Sequence, residues 1–419
     1  MRASPICQST GICWSCKSKT IKVFELNDFP FTGRFPKSGE ESLTGDLTFS
    51  FCENCKLIQL EQGYSPDLMY SEYYYCSSIN NSMRLHLFNL VNEVINIYGT
   101  KPAGDWLDIG CNDGFTLSIA KSIGWGIHGV DPSNIIGKYY NSVFNQNKIN
   151  PILFTNDIFP PGKNKNLENK TFEIITTISM FYDVFNLDKF ISQIDKNLKE
   201  DGIWVVEMNY TKDMIQNNGY DMIGHEHITY YTLESFINLL EKSNYHLKVF
   251  NCTTSKINGG SIRIYIDRGK RKRSENVLNI LNIEKELKLD KIDTIKNFYK
   301  QIIKHAEKVN KFVNNLREEG KRISIYGAST RGNTNLLLSK LERDKIDFAY
   351  EKNSDKIGRY CPGTDILIKN ENDLLKDMPD YLIVMPYSFI EEFLVKEKKY
   401  LENGGKMVTL VPDLKIYSI

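Results

Sequence analysis

The chain has 419 residues, enough for about three domains. Lys and Arg total 53 against 52 Asp and Glu, so a net charge of +1 leaves no overall field to recruit nucleic acid or an anionic membrane. A composition of 41% hydrophobic and 25% charged residues is that of a globular protein and excludes a disordered chain, a collagen and a coiled-coil rod. Nine cysteines are too few for a disulfide scaffold at this length, and an odd number fits reduced thiols. Met1 to Cys7 contain no apolar core of a signal peptide, and no window approaches the roughly 18 apolar residues of a membrane span. The expectation is a cytoplasmic monomer with neither nucleic acid nor membrane as a partner.

Residues 1–79 are cysteine- and turn-rich, punctuated by Pro30, Gly33, Pro36, Gly39 and Gly45, and read as a small module that needs a staple. From Asn80 the apolar spacing of Leu87, Leu90, Val91, Val94 and Ile95 predicts a helix. Strands follow at Asp105–Ile109, Gly126–Val130, Phe172–Ile178, Gly202–Met208 and Ser261–Ile266, with helical stretches between, an α/β alternation over 80–267. Residues 268–320 are polar and charged with one apolar helix face, and read as a helical linker. Its basic run Arg268, Lys270, Arg271, Lys272 and Arg273 has no interleaved aromatic and reads as a solvated stretch. A last α/β unit spans 321–419, with strands at Ile323–Tyr326 and Tyr381–Met385.

Cys13-Trp-Ser-Cys16 and Cys52-Glu-Asn-Cys55 are two C-x-x-C knuckles. Each puts two sulfurs on one turn, and four thiolates suit a closed structural zinc site. A redox pair is the weaker reading, because no βαβ unit adjoins it. Cys7, six residues before the first knuckle, reads as a free thiol with a substitute ligand as the alternative, and Cys76, Cys111, Cys252 and Cys361 read as small apolar residues.

The first α/β strand runs through Asp108 into the turn Gly110-Cys-Asn112-Asp113-Gly114. The glycines allow close approach of a ligand, but the turn is not G-x-G-x-x-G and carries Asp113 where a pyrophosphate would sit. A cationic ligand without phosphates fits better. Asp131 ends the next strand about 20 residues on, where a carboxylate can accept ribose hydroxyls. Together these residues resemble the class I S-adenosylmethionine methyltransferase signature. The resemblance implies that Gly110 and Gly114 admit the methionine part, that Asp108 or Asp113 offsets its charge with Asn112 in the same turn, that Asp131 holds the ribose, and that Asn156-Asp157 reach the adenine.

Two of only six histidines flank a carboxylate in His225-Glu226-His227. The spacing is not H-E-x-x-H, so a zinc protease is excluded, whereas a histidine near its free pKa can take a proton from carbon beside a carbonyl. The alternative is a hydrogen-bonded core histidine. Asn258-Gly-Gly-Ser-Ile-Arg263 forms a tight turn into a strand.

Cys52-Glu-Asn-Cys55-Lys-Leu-Ile-Gln-Leu, Tyr73-Tyr-Tyr75-Cys-Ser-Ser, the Asp108 to Gly114 turn, Gly129-Val-Asp-Pro132, Glu207, His225-Glu-His227, Asn258 to Arg263, Tyr326-Gly-Ala-Ser-Thr-Arg-Gly332 and Gly358 to Thr364 together resemble the sugar C-methyltransferases that act on nucleotide-linked keto-deoxysugars. The resemblance implies an N-terminal zinc domain, a central doubly wound methyltransferase sheet and a C-terminal Rossmann-like α/β domain, with the sugar between them. It implies His227 as general base, Glu226 and His225 as its neighbours, and Tyr75 as an N-terminal tyrosine reaching the site. Two positions depart from the pattern. Gly224 stands where the family has Tyr, and Ser179-Met-Phe-Tyr-Asp183 replaces an Asn-Val-x-x-His run. O-methylation of a sugar or another small metabolite is therefore the second reading; RNA modification and a silent binding protein are others from different classes, the former opposed by the near-neutral charge.

Overall fold

The computed structural model describes residues 1–70, 72–99, 104–144, 153–162, 167–184, 186–242 and 245–419. Its centre is a seven-stranded sheet of β1 (Asp105–Ile109), β2 (Gly126–Val130), β3 (Phe154–Thr155), β4 (Phe172–Ile178), β5 (Leu198–Asn209), β6 (Lys248–Ser255) and β7 (Ser261–Asp267). Their order across the sheet is β6-β7-β5-β4-β1-β2-β3, with β7 antiparallel to both neighbours and the pairings from β5 to β3 parallel. The order reverses at β1 and β4, which opens a crevice at their carboxyl ends. This is the class I methyltransferase sheet. β1, β4 and β5 have both faces covered and read as apolar runs, so pattern alone reveals them. β3 has two residues, and β6 carries Asn251, Thr253 and Thr254; neither has an apolar run, and neither was expected.

The N-terminal body is an antiparallel sheet of Ile21–Pro30, Thr44–Phe51 and Ile58–Leu60 whose fourth strand comes from far along the chain: Thr229–Tyr230 pairs with Ile58 and Gln59. The segment after His227 is thus held by the cysteine-rich module. Helices Glu275–Glu286 and Ile292–Glu318 are packed rather than loose. Glu284 is buried and accepts the Leu233 and Glu234 amides, at 2.6 and 3.0 Å, and the Tyr210 hydroxyl at 2.8 Å, capping helix Leu233–Lys242 from outside. The longer helix stacks Tyr299 on Phe24 and sends Val309, Val313 and Leu316 into the C-terminal core. In the basic run, Arg268, Lys270 and Arg271 pair with Asp195, Asp201 and Asp267.

The C-terminal body is a second seven-stranded sheet centred on Ile323–Tyr326, which lies parallel to Ala349–Glu351 on one side and Tyr381–Val384 on the other. Among the described residues, no helix is long and apolar enough to cross a membrane.

Candidate active site and cysteine cluster

The two cysteine knuckles repeat one local design. Lys17 and Lys56, each just past its knuckle at positive φ, return an amide to the carbonyls of Cys13 and Cys52 at 3.1 and 2.8 Å. The Cys13 and Cys52 amides bond forward to Ser18 and Leu57 at 2.8 and 2.9 Å. The knuckles face each other, with Cys13 and Cys55 sulfurs 3.4 Å apart, Cys16 and Cys52 3.5 Å apart, and all four within 4.8 Å. A tetrahedral zinc site with bonds of about 2.3 Å has sulfur–sulfur edges of about 3.8 Å, so the donor set and spacing fit such an ion. The cluster packs into the methyltransferase core beside Phe181, Tyr231 and Phe236.

The glycine turn after β1 is built as the spacing suggests, and its side chains have partners that sequence did not show. Gly110 and Gly114 adopt φ of 75° and 79°, and a Cβ on Gly114 would lie 2.8 Å from Phe144 and 2.9 Å from Ile136. Asn112 donates to the Tyr75 carbonyl at 3.1 Å and accepts the Ser77 amide at 3.0 Å. Asp113 accepts the Phe115 amide at the start of helix Phe115–Ser122 at 3.0 Å, the Ser78 amide at 2.8 Å and the Cys76 thiol at 3.0 Å. Both side chains therefore fasten a strap, residues 72–79, across the turn. Asp113 still lines the cavity, with one lone pair left on the oxygen that takes the Phe115 amide. Asp131 accepts the Asn112 amide at 2.8 Å and the Ser133 amide at 2.8 Å, keeping one lone pair on its Asn112-bound oxygen for a hydroxyl. Asn156 ties the Asp131 and Ser133 carbonyls together at 3.1 and 2.6 Å and so faces away, while Asp157 and the exposed Ile158 line the cavity. Asp108 also lines it. The Thr176 hydroxyl donates to one oxygen at 2.6 Å, and burial raises its carboxyl to about 7 despite that bond.

The histidine cluster divides. A turn closed by the His227 amide on the Gly224 carbonyl, 3.2 Å, sends the two rings to opposite sides. His225 stacks on Phe31 with centroids 3.9 Å apart, abuts Tyr64, and donates Nε2–H to the Gly45 carbonyl at 3.2 Å. It belongs to the N-terminal core and not to the cavity, so its expected catalytic placement is corrected. His227 lines the cavity with its Nδ1 2.6 Å from the Met222 carbonyl. A carbonyl only accepts, so Nδ1 carries the proton and Nε2 keeps its lone pair. Burial, with Arg331 adding to it against the Met222 bond, lowers the ring to about 4 and keeps it neutral at physiological pH. Glu226 lines the same wall, has no hydrogen-bond partner among the described residues, and is raised to about 7 by burial. Tyr75 is there too, the most open of the strap's tyrosines.

Glu207, at the crevice end of β5, is held by the Arg263 guanidinium at 2.6 Å and His86 at 2.6 Å; burial opposes its ionisation, but these partners keep its carboxyl below the ordinary range. Across the cleft, Arg331 on helix Thr330–Leu338 donates to the Asn258 carbonyl at 2.7 Å and to buried Asp221 at 2.5 Å, joining two motifs some seventy residues apart. Tyr70, Tyr73, Arg331 and Asn353 were not singled out as site residues, whereas Asp183 stood out with Tyr182 and Tyr230 as a residue able to replace the family's missing donors, and it lines the cavity with Tyr182. The Tyr73 to Tyr75 run and the Arg in Gly327 to Gly332 were the available signals. All these residues share one cavity of about 780 Å³, walled by the three bodies together.

Two family models match the chain, a methyltransferase domain over 83–248 and a C-methyltransferase C-terminal domain over 256–412. C-methyltransferase NovU of Streptomyces niveus is 25% identical over 407 residues, covering 95% of this chain and 94% of the relative. Among solved structures, the PH0226 protein of Pyrococcus horikoshii is 16% identical over 46% of this chain and 94% of its own, with a TM-score of 0.35. N-methyltransferase NodS of Bradyrhizobium japonicum is 13% identical over 45% and 97%, with a TM-score of 0.34. With a methyltransferase-domain match on the central body, a C-methyltransferase C-terminal-domain match running from the last strand of that body's sheet through the C-terminal body, and a similar relative spanning nearly the whole of both chains, this protein is an S-adenosylmethionine-dependent methyltransferase.

Proposed function

We propose that the protein methylates carbon beside the keto group of a nucleotide-linked deoxysugar. The observation that carries this reading is the 2.6 Å contact of His227 Nδ1 with the Met222 carbonyl, which leaves Nε2 as the ring's acceptor, in the same cavity as the glycine turn. His227 takes the proton from carbon, the electron pair moves to the keto oxygen, and the carbanion form attacks the methyl of the sulfonium. S-adenosylmethionine supplies that methyl when bound. Gly110 and Gly114 would admit it, Asp108 would balance its positive charge, Asp131 would hold its ribose hydroxyls and Asp157 would reach its adenine, while Asn112 and Asp113 fasten the strap beside the turn. Held in one cleft, the reactants gain much of the rate from proximity.

The C-terminal body supports a nucleotide reading. Gly327 at φ 78° ends its central strand, Glu351 ends the neighbouring one, and both line the cavity with Asn353. That is the switch-point position where mononucleotides bind in open α/β sheets. In this reading the division is an N-terminal zinc domain over 1–79, a methyltransferase domain over 80–267, a helical connection over 268–320 and a nucleotide-binding domain over 321–419. Nine unpaired thiols support a reducing, cytoplasmic setting.

The test offers methyl-labelled S-adenosylmethionine and a panel of nucleotide-linked keto-deoxysugars, and locates the label by carbon NMR. The reading expects a new carbon–carbon bond beside the former keto group. A methyl on oxygen, or no transfer to any keto-sugar, contradicts it.

A further inference from the structure

Carbanion formation puts negative charge on the keto oxygen, and a base alone does not stabilise it. The cleft must present a hydrogen-bond donor there. Gly224 and Gly33 bring no side chain to this wall, and Arg331 is held in place by its bonds to Asn258 and Asp221, with its Nε buried without a partner.

Tyr70 ends the short helix Pro66–Tyr70 and lines the cavity, with Tyr73 edge-on to its ring at 5.6 Å. Its hydroxyl lies 3.1 Å from Asp183 Oδ2. Asp183 Oδ1 is buried without a hydrogen-bond partner, and no cation pairs with Asp183 or Glu226 among the described residues. The base lies alongside. The Ile228 amide donates to the Tyr182 carbonyl at 2.9 Å, and the rings of Tyr182 and His227 meet at 4.5 Å, so 182–183 and 226–228 run side by side.

Resting on the proposed reaction, we propose that Tyr70 donates the hydrogen bond that stabilises the forming enolate oxygen, and that Asp183, carrying a proton, donates to Tyr70 from behind and turns its hydroxyl hydrogen into the cavity. An ionised Asp183 would instead draw that hydrogen to itself. Burial, together with Glu226 opposite, holds the Asp183 carboxyl well above the ordinary range, which keeps the proton in place. Burial also raises Tyr70, so it stays a donor. During the reaction the carbon-bound proton passes to His227 Nε2, the methyl leaves sulfur as a thioether forms, and the electron pair returns from oxygen to the new carbon–carbon bond. Tyr70 and Asp183 keep their protons throughout. Tyr70 is thus a catalytic residue and Asp183 its positioning residue.

The test compares Tyr70→Phe, Asp183→Asn and Asp183→Ala with wild type on one keto-sugar that wild type methylates, alongside S-adenosylmethionine affinity and thermal melting. Tyr70→Phe is expected to lower kcat about 100- to 1,000-fold with affinity for S-adenosylmethionine unchanged. Asp183→Asn, whose amide can donate to Tyr70, is expected within about tenfold of wild type, and Asp183→Ala well below it. Tyr70→Phe within threefold of wild type, or Asp183→Asn no better than Asp183→Ala, overturns the proposal. Should Tyr70→Phe fail to fold, the Asn and Ala pair decides. A wild-type enzyme silent on every keto-sugar would instead count against the reaction itself.

Discussion

Replacing Asp108 by Asn should separate ligand binding from folding with opposite signs. The Asn side chain keeps the shape, and its amide oxygen can still accept from the Thr176 hydroxyl, which donates to Asp108 at 2.6 Å. Burial raises the Asp108 carboxyl to about 7. About one tenth is therefore ionised at pH 6 and about nine tenths at pH 8, and attraction to a sulfonium ligand should strengthen about tenfold across that interval. A charge-assisted contact contributes about 1.5–3 kcal/mol, so Asp108→Asn should weaken S-adenosylmethionine binding roughly 10- to 100-fold at pH 8 and far less at pH 6. Stability moves the other way. A carboxyl whose folded pKa lies above its unfolded value contributes fully at acid pH and loses that contribution as pH rises through about 7. Three units correspond to at most about 4 kcal/mol, so the ligand-free Asn variant should be the more stable protein at pH 8. Isothermal titration at pH 6, 7 and 8, comparing variant with wild type so that the ligand's own titration cancels, reads the first effect; urea melts read the second. Parallel binding profiles for the two proteins would refute the placement of a titrating Asp108 beside the ligand's charge.

Other expectations concern the frame around the site. Chelation should release about one zinc per chain, and because Thr229–Tyr230 completes the cysteine module's sheet, it should abolish methyl transfer together with a fall in Tm; elemental analysis and a melt with and without chelator check this. His225→Phe should keep activity within a few-fold and cost about 1 kcal/mol at pH 7.5 for the lost bond to Gly45. Because burial lowers His225 to about 4, wild-type stability falls on acidification below about 6.5, and urea melts should show the gap closing by about 1.4 kcal/mol per pH unit. Arg331→Met should destabilise by about 3 kcal/mol by leaving Asp221 buried and unpaired, and Asp221→Leu in the same chain should restore most of it in a urea titration.

What the sequence disclosed and what it withheld follow one physical distinction. Local spacing was sufficient for the knuckles, whose sulfurs share turns, and for the glycine turn, whose φ values depend on the residues themselves. Buried strands such as Phe172–Ile178 announce themselves by apolar runs. Contacts made at long range carried no such mark. Asn112 and Asp113 look like ligand residues in isolation, and only the strap 35 residues earlier shows what they hold. His225 and His227 look equivalent until Phe31 and Gly45 claim one and the cavity the other. Tyr70 lies 113 residues from Asp183 and gave no motif at all.

The central claim is that His227 removes a proton from carbon, and hydrogen exchange tests it without any methyl transfer. With S-adenosylhomocysteine present and a nucleotide-linked keto-deoxysugar in deuterium oxide, the wild-type protein should wash deuterium into the position beside the keto group, seen by proton NMR. His227→Gln, melting and binding S-adenosylmethionine like wild type, should lose at least about 100-fold of that exchange. Equal exchange in the two proteins, alongside methyl transfer by both, would contradict the assignment of His227 as the base.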